Sequence, residues 1–199
     1  MDYSNIGFIM RSTIMQVIVF SIIPFICWII KYKKEISFFK WIGLYKPTKL
    51  VSTKKIIIFI TIYFASWIIN YTISKNISSN FQGMGVIAII PSFIVCFIQN
   101  GLCEEILFRG FIGKRLISIF GKNKGILIQA ILFGFMHIGM ASLLGLHISI
   151  SLIVNYFIIP TIGGWMLGYV DEKIYNGSII PSILLHGLLN FGRDMICAF

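Results

Sequence analysis

The chain has 199 residues, 57% hydrophobic and 12% charged, where a soluble domain carries roughly 25% charged residues. That composition excludes an ordinary soluble domain and predicts one all-α membrane domain, a polytopic bundle of about six transmembrane helices. The net charge of +10 does not mark a nucleic-acid binder, because the basic residues cluster between apolar runs instead of along one soluble face.

The first apolar run, Ser12 to Ile30, holds no Asp, Glu, Lys or Arg and approaches the roughly 20 residues that cross hydrocarbon. No small-residue cleavage site precedes the basic cluster after it, so a retained anchor is expected. A second span is predicted over Ile56 to Ile73. Between them, Lys31 to Lys55 carries eight Lys against one Glu. Such a bias predicts that loop 31–55 is cytoplasmic and the N-terminus outside, in a multi-pass cell-membrane protein.

After the polar turn "SKNISSNFQGMG", a third span is placed at Pro91 to Gly113, since Pro suits a first helical turn. This register puts Glu104 about 15 Å inside the bilayer, ten residues from Lys114 at 1.5 Å per residue. Lys114, Arg115, Lys122 and Lys124 form the next basic connection, predicted cytoplasmic. From Gly125 to Val170 no charged residue occurs, which fits two spans, Gly125–Leu144 and His147–Val170. Pro160 and the pair Gly163-Gly164 are expected to bend the fifth helix or admit a close neighbour. "DEKIYNG" reads as a short cytoplasmic turn, and Ser178 to Gly192 as a sixth span ending near Arg193 and Asp194. The expected division is 1–90, two helices with the basic loop and outer turn, and 91–199, the core helices, within a single membrane domain.

Ionisable groups in a bilayer cost on the order of 2.5–3.5 kcal/mol each and face a partner or a water-filled cavity. Glu105 and Arg109 are four apart, acid before base, and are expected to neutralise each other on one helix face. Glu104 points about 100° away and needs a partner from another helix. His137 in "FGFMH" and His186 in "HGLLN" are expected at about 19 Å and 15 Å from their cytoplasmic ends, with Asn190 one turn beyond His186. Three helices thus bring Glu104, His137 and His186 to similar depth.

A carboxylate beside imidazoles can take a proton from water, and a His or Asn donor can stabilise an oxyanion. The implied class is hydrolysis of a carbonyl compound. The same Glu and two His could instead hold zinc, although no H-E-x-x-H occurs. His147, nearer the outer turn, is read as interfacial, and Cys103 as an inert buried thiol. Cys27, Cys96 and Cys197 lack paired or metal-ligand spacing and read as small hydrophobes.

"EEILFR" (Glu104, Glu105, Arg109), "FGFMH" (Phe133, His137) and "HGLLN" (His186, Asn190), in that order on successive apolar helices, resemble the three motifs of the CPBP family. This family comprises type II CAAX prenyl proteases and bacteriocin-processing or self-immunity proteins, often labelled Abi. The resemblance, spanning about Pro91 to Arg193, implies an intramembrane glutamate-dependent endopeptidase with no metal and no cofactor. It implies that Glu104 with His137 activates water, that His186 and Asn190 stabilise the oxyanion, and that Glu105 and Arg109 support them. The implied partners are the lipid bilayer and a peptide or protein substrate, lipidated or bacteriocin-like, with no nucleic acid. The alternative reading is a non-catalytic membrane immunity or regulatory scaffold.

Overall fold

The computed structural model describes residues 5–47, 57–58, 61–62, 65, 79–147 and 149–199. Every regular element among them is helical. The helices are α1 (Ile6–Lys31), the short α2 (Phe38–Trp41), α3 (85–113), α4 (Lys114–Leu143), α5 (Ile150–Ile174) and α6 (Ile180–Ala198). Most of the second predicted span, the end of the Lys-rich loop and the first four residues lie outside the described residues.

Three helices among the described residues are long and apolar enough to cross a membrane: Ile6–Lys31, Gly85–Leu143 and Ile150–Ile174. On α1, Ile14, Met15, Ile18, Val19, Ile22 and Ile23 are all exposed. Water would penalise such a row, whereas lipid tails accept it. The protein is an all-α polytopic membrane protein.

The run from Gly85 to Leu143 is 59 residues long, which would be about 88 Å if straight, nearly three times the hydrocarbon thickness. It is broken at Gly121, whose φ of 77° and ψ of 165° lie in a region that is essentially glycine-only. A Cβ added at Gly125 would stand 2.6 Å from Cα of Ile117, whereas residues eight apart on a straight helix are separated by about 12 Å. The chain therefore doubles back at Gly121. The predicted basic loop between spans three and four is corrected to helix on both sides of this one-residue reversal.

The chain divides into two compact units, Met1–Lys46 with Ile77–Phe111 and Ser178–Phe199, and Pro47–Asn76 with Ile112–Gly177. In the first, Ile9, Phe81, Ala88, Val95 and Ala198 form one apolar cluster and Ile42, Ile106 and Ile179 another. Its α3 and α6 approach at glycines: a Cβ on Gly101 would lie 3.1 Å from the Ile183 carbonyl oxygen. The segment after α2 is tied to the start of α6, where Ile179 N–H donates to the Gly43 carbonyl at 2.9 Å.

In the second unit α4 packs on α5 through small residues. Gln129 Nε2 donates to the Gly164 carbonyl at 2.9 Å, and a Cβ on Gly134 would sit 2.8 Å from the Phe157 carbonyl. Val154–Ile158 is π-helical, just before Pro160. In a regular helix the Pro160 ring would collide with the carbonyl four residues back, and a widened turn removes that clash.

Two predicted boundaries shift where charge is satisfied internally. The helix continues through Asp171 and Glu172, both buried, because Lys114 pairs with Glu172 and Lys122 Nζ donates to the Glu172 carbonyl at 3.1 Å. At the other end α6 runs past Arg193 and Asp194 to Ala198. Asp194 is buried and accepts from Ser79 at 2.9 Å, Ser92 at 3.0 Å, Cys96 at 3.2 Å and Arg193 at 2.9 Å. Partners of this kind let a carboxylate remain inside a helix that sequence reasoning ended there.

Candidate active site

Glu104 and Glu105 occupy a single α-helical turn, Cys103–Glu105, between two π-helical stretches, Ile94–Leu102 and Ile106–Gly113. Such widened turns are rare in ordinary helices and recur at functional sites. They change which face each successive side chain occupies, so a simple 100° step no longer describes this helix.

Glu105 is fully buried, and both of its oxygens are engaged. Oε2 lies 3.1 Å from Arg109 Nε, the ion pair four residues apart that the sequence suggested. Oε1 lies 2.8 Å from His186 Nδ1. This second contact was not foreseen. A carboxylate only accepts, so the Nδ1 atom carries the proton of that hydrogen bond and Nε2 is turned away from Glu105.

Glu104 stands on the other edge of the same ring, its Oε2 3.9 Å from His186 Nε2. That oxygen is buried and has no hydrogen-bond partner among the described residues. His186 thus lies between the two acids. The approach depends on glycine: a Cβ at Gly187, beside His186, would lie 2.8 Å from Cγ and Cε1 of Phe97. Asn190 follows one turn later on α6 and is half-buried.

His137 belongs to the second unit, half-buried on α4. Its Nδ1 is 2.9 Å from the Phe133 carbonyl, and the two rings meet edge-on with centroids 4.4 Å apart. A carbonyl can only accept, so Nδ1 carries the proton and, in the neutral ring, Nε2 is left as a base. His147 is exposed in the turn after α4 and Cys103 is buried. Among the described residues no three His, Cys, Asp or Glu side chains form a group that could hold a metal ion.

Sequence reasoning missed a polar contact between α1 and α3, formed by Thr13, Gln16 and Gln99. A search for charged residues in apolar runs passes over amides; the only available signal was a lone Gln in each span.

The family model described as Type II CAAX prenyl endopeptidase Rce1-like matches residues 86–192. The chain belongs to that family. Every residue of the three motifs falls inside the Rce1-like match, whereas α1 and α2 lie before it. Membership indicates a membrane protease, a hydrolase acting on peptide or protein substrates at the bilayer. No curated protein and no solved structure matches the chain.

Proposed function

We propose that the protein is a metal-independent, glutamate-dependent intramembrane endopeptidase of the CAAX-protease type. The observation that carries this reading is the unequal use of two adjacent acids. Glu105 is ion-paired with Arg109 through Oε2 and hydrogen-bonded to His186 through Oε1, while the buried Oε2 of Glu104 has no hydrogen-bond partner among the described residues and comes only within 3.9 Å of His186 Nε2.

In the proposed reaction Glu104 takes a proton from water, and the oxygen so activated attacks the scissile carbonyl carbon. The carbonyl becomes an oxyanion, to which Asn190 Nδ2 and, in its doubly protonated form, His186 Nε2 donate hydrogen bonds. The proton held by Glu104 passes to the leaving amine as the C–N bond breaks. Glu105 acts through His186 by holding its ring, and Arg109 supplies the countercharge that keeps a buried carboxylate ionised. His137 shares water activation with Glu104, as the resemblance implies.

The substrate in this reading is a membrane-associated peptide, lipidated or bacteriocin-like, matured or destroyed in processing or self-immunity. Protein in lipid nanodiscs should cleave such a peptide, and Glu104→Ala and His137→Ala should each abolish cleavage while leaving the fold intact. Cleavage that survives both changes would sink the mechanism. Full cellular function in a Glu104→Gln strain would instead favour the scaffold alternative. Peptides recovered from wild-type and Glu104→Ala cells would separate the substrate classes, and identical profiles would count against all of them.

The proposed topology has six crossings, the N-terminus outside and 31–55 in the cytoplasm. Labelling of Lys34→Cys in intact cells by a membrane-impermeant thiol reagent would contradict it.

A further inference from the structure

Gln99 lies five residues before Glu104, within the π-helical stretch Ile94–Leu102. In a regular α-helix the Cys103 N–H would bond to the Gln99 carbonyl, four residues back. Here it is directed to the carbonyls of Ile98 and Asn100. The Gln99 carbonyl accepts from α1, where Gln16 Nε2 donates to it at 2.8 Å.

Two further bonds hold the same pair. Gln99 Nε2 donates to Gln16 Oε1 at 3.1 Å, and Thr13 Oγ1 to Gln99 Oε1 at 3.3 Å. Hydrocarbon offers no water to a carbonyl that has lost the donor four residues on, so an internal donor stabilises the widened turn. Gln16 supplies that donor from a helix outside the family match.

We propose that Gln16 is a positioning residue for Glu104. By capturing the Gln99 carbonyl it holds the widened turn from which the glutamates project. Collapse of that turn by one residue would rotate everything beyond it by about 100°. Glu104 would then leave the edge of His186 to which its Oε2 is now 3.9 Å close. Gln16 touches no reacting atom.

The test compares Gln16→Met, which loses the donor at similar size, with Gln99→Leu, which loses the side-chain pair but keeps the backbone carbonyl. Amide hydrogen exchange is measured on full-length protein in nanodiscs. Gln16→Met should speed exchange over residues 103–105 about threefold, the factor matching the ~0.6 kcal/mol typical of an intramembrane side-chain hydrogen bond. Gln99→Leu should speed it less. In cleavage assays Gln16→Met should lower kcat with KM within about twofold, as loss of transition-state alignment does, and Gln99→Leu should stay near wild type.

Equal effects of the two variants, or unchanged exchange in Gln16→Met, would overturn the proposal. Gln16→Leu repeats the comparison if the Met variant is not recovered folded. Only the kinetic arm rests on the proposed role of Glu104. A wild type that cleaves nothing would sink the endopeptidase reading, and the exchange arm would still decide the role of Gln16.

Discussion

Replacing Gly187 by Ala tests whether the site depends on close approach of α3 and α6. The new Cβ would lie 2.8 Å from Cγ and Cε1 of Phe97 and nearer still to Cδ1. Ordinary carbon contacts are about 3.5–4.0 Å, so ring or helix must give by roughly 1 Å. The ring is confined, stacked on Phe93 at 4.5 Å and tilted against Phe191 at 6.3 Å. Part of the strain therefore passes to the helices. A 1 Å separation would stretch the 2.8 Å bond between His186 and Glu105 beyond the roughly 3.2 Å limit of a good N–H···O bond.

Overpacking of this kind costs about 1–3 kcal/mol, and misplacement by 1 Å can cost about 10²-fold in rate. Unfolding of the variant in nanodiscs, followed alongside peptide cleavage, should show both losses. Phe97→Leu in the Gly187→Ala background should recover much of each, because it removes the ring that the methyl strikes. Stability within about 0.5 kcal/mol of wild type and undiminished cleavage in Gly187→Ala would refute the reasoning. So would a Phe97→Leu partner that relieves nothing.

Glu104→Gln should leave unfolding unchanged to within about 0.5 kcal/mol, since its buried Oε2 makes no hydrogen bond among the described residues, while cleavage disappears. Glu105→Leu should unfold more easily by about 3–5 kcal/mol in the same nanodisc assay, because buried Arg109 loses the carboxylate 3.1 Å away that neutralises it. Gly121→Ala should cost about 1–3 kcal/mol, the usual strain of a side chain in a glycine-only backbone region. Gly125→Ala should cost more than Gly121→Ala, as its methyl would meet the Ile117 backbone where a side chain cannot swing aside. Cleavage should survive a zinc chelator; activity lost on chelation and regained with added zinc would contradict the metal-free mechanism.

Membrane residence and helical class were legible from apolar run length, because the bilayer imposes a minimum span on any crossing helix. The ion pair of Glu105 and Arg109 was legible too, since residues four apart on a helix are neighbours whatever surrounds them. Spacing also located His137 on one apolar helix and His186 with Asn190 on another. The boundaries at Asp171, Glu172 and Asp194 were read less well. A charge ends a span only if it lacks an internal partner, and those partners come from distant residues: Lys114 for Glu172, and Ser79, Ser92 and Cys96 for Asp194.

Tertiary structure alone decided how the two acids are used. Whether His186 meets Glu104 or Glu105 depends on where π-helical turns fall in α3 and on how closely Gly101 and Gly187 let α6 approach. Neither follows from residue spacing, because a widened turn shifts the phase of everything beyond it. The sequence by itself determined a helical membrane protein with two adjacent acids within one apolar helix. Only the packed helices brought His186 to Glu105 as its second partner and left Glu104 Oε2 without a hydrogen-bond partner among the described residues.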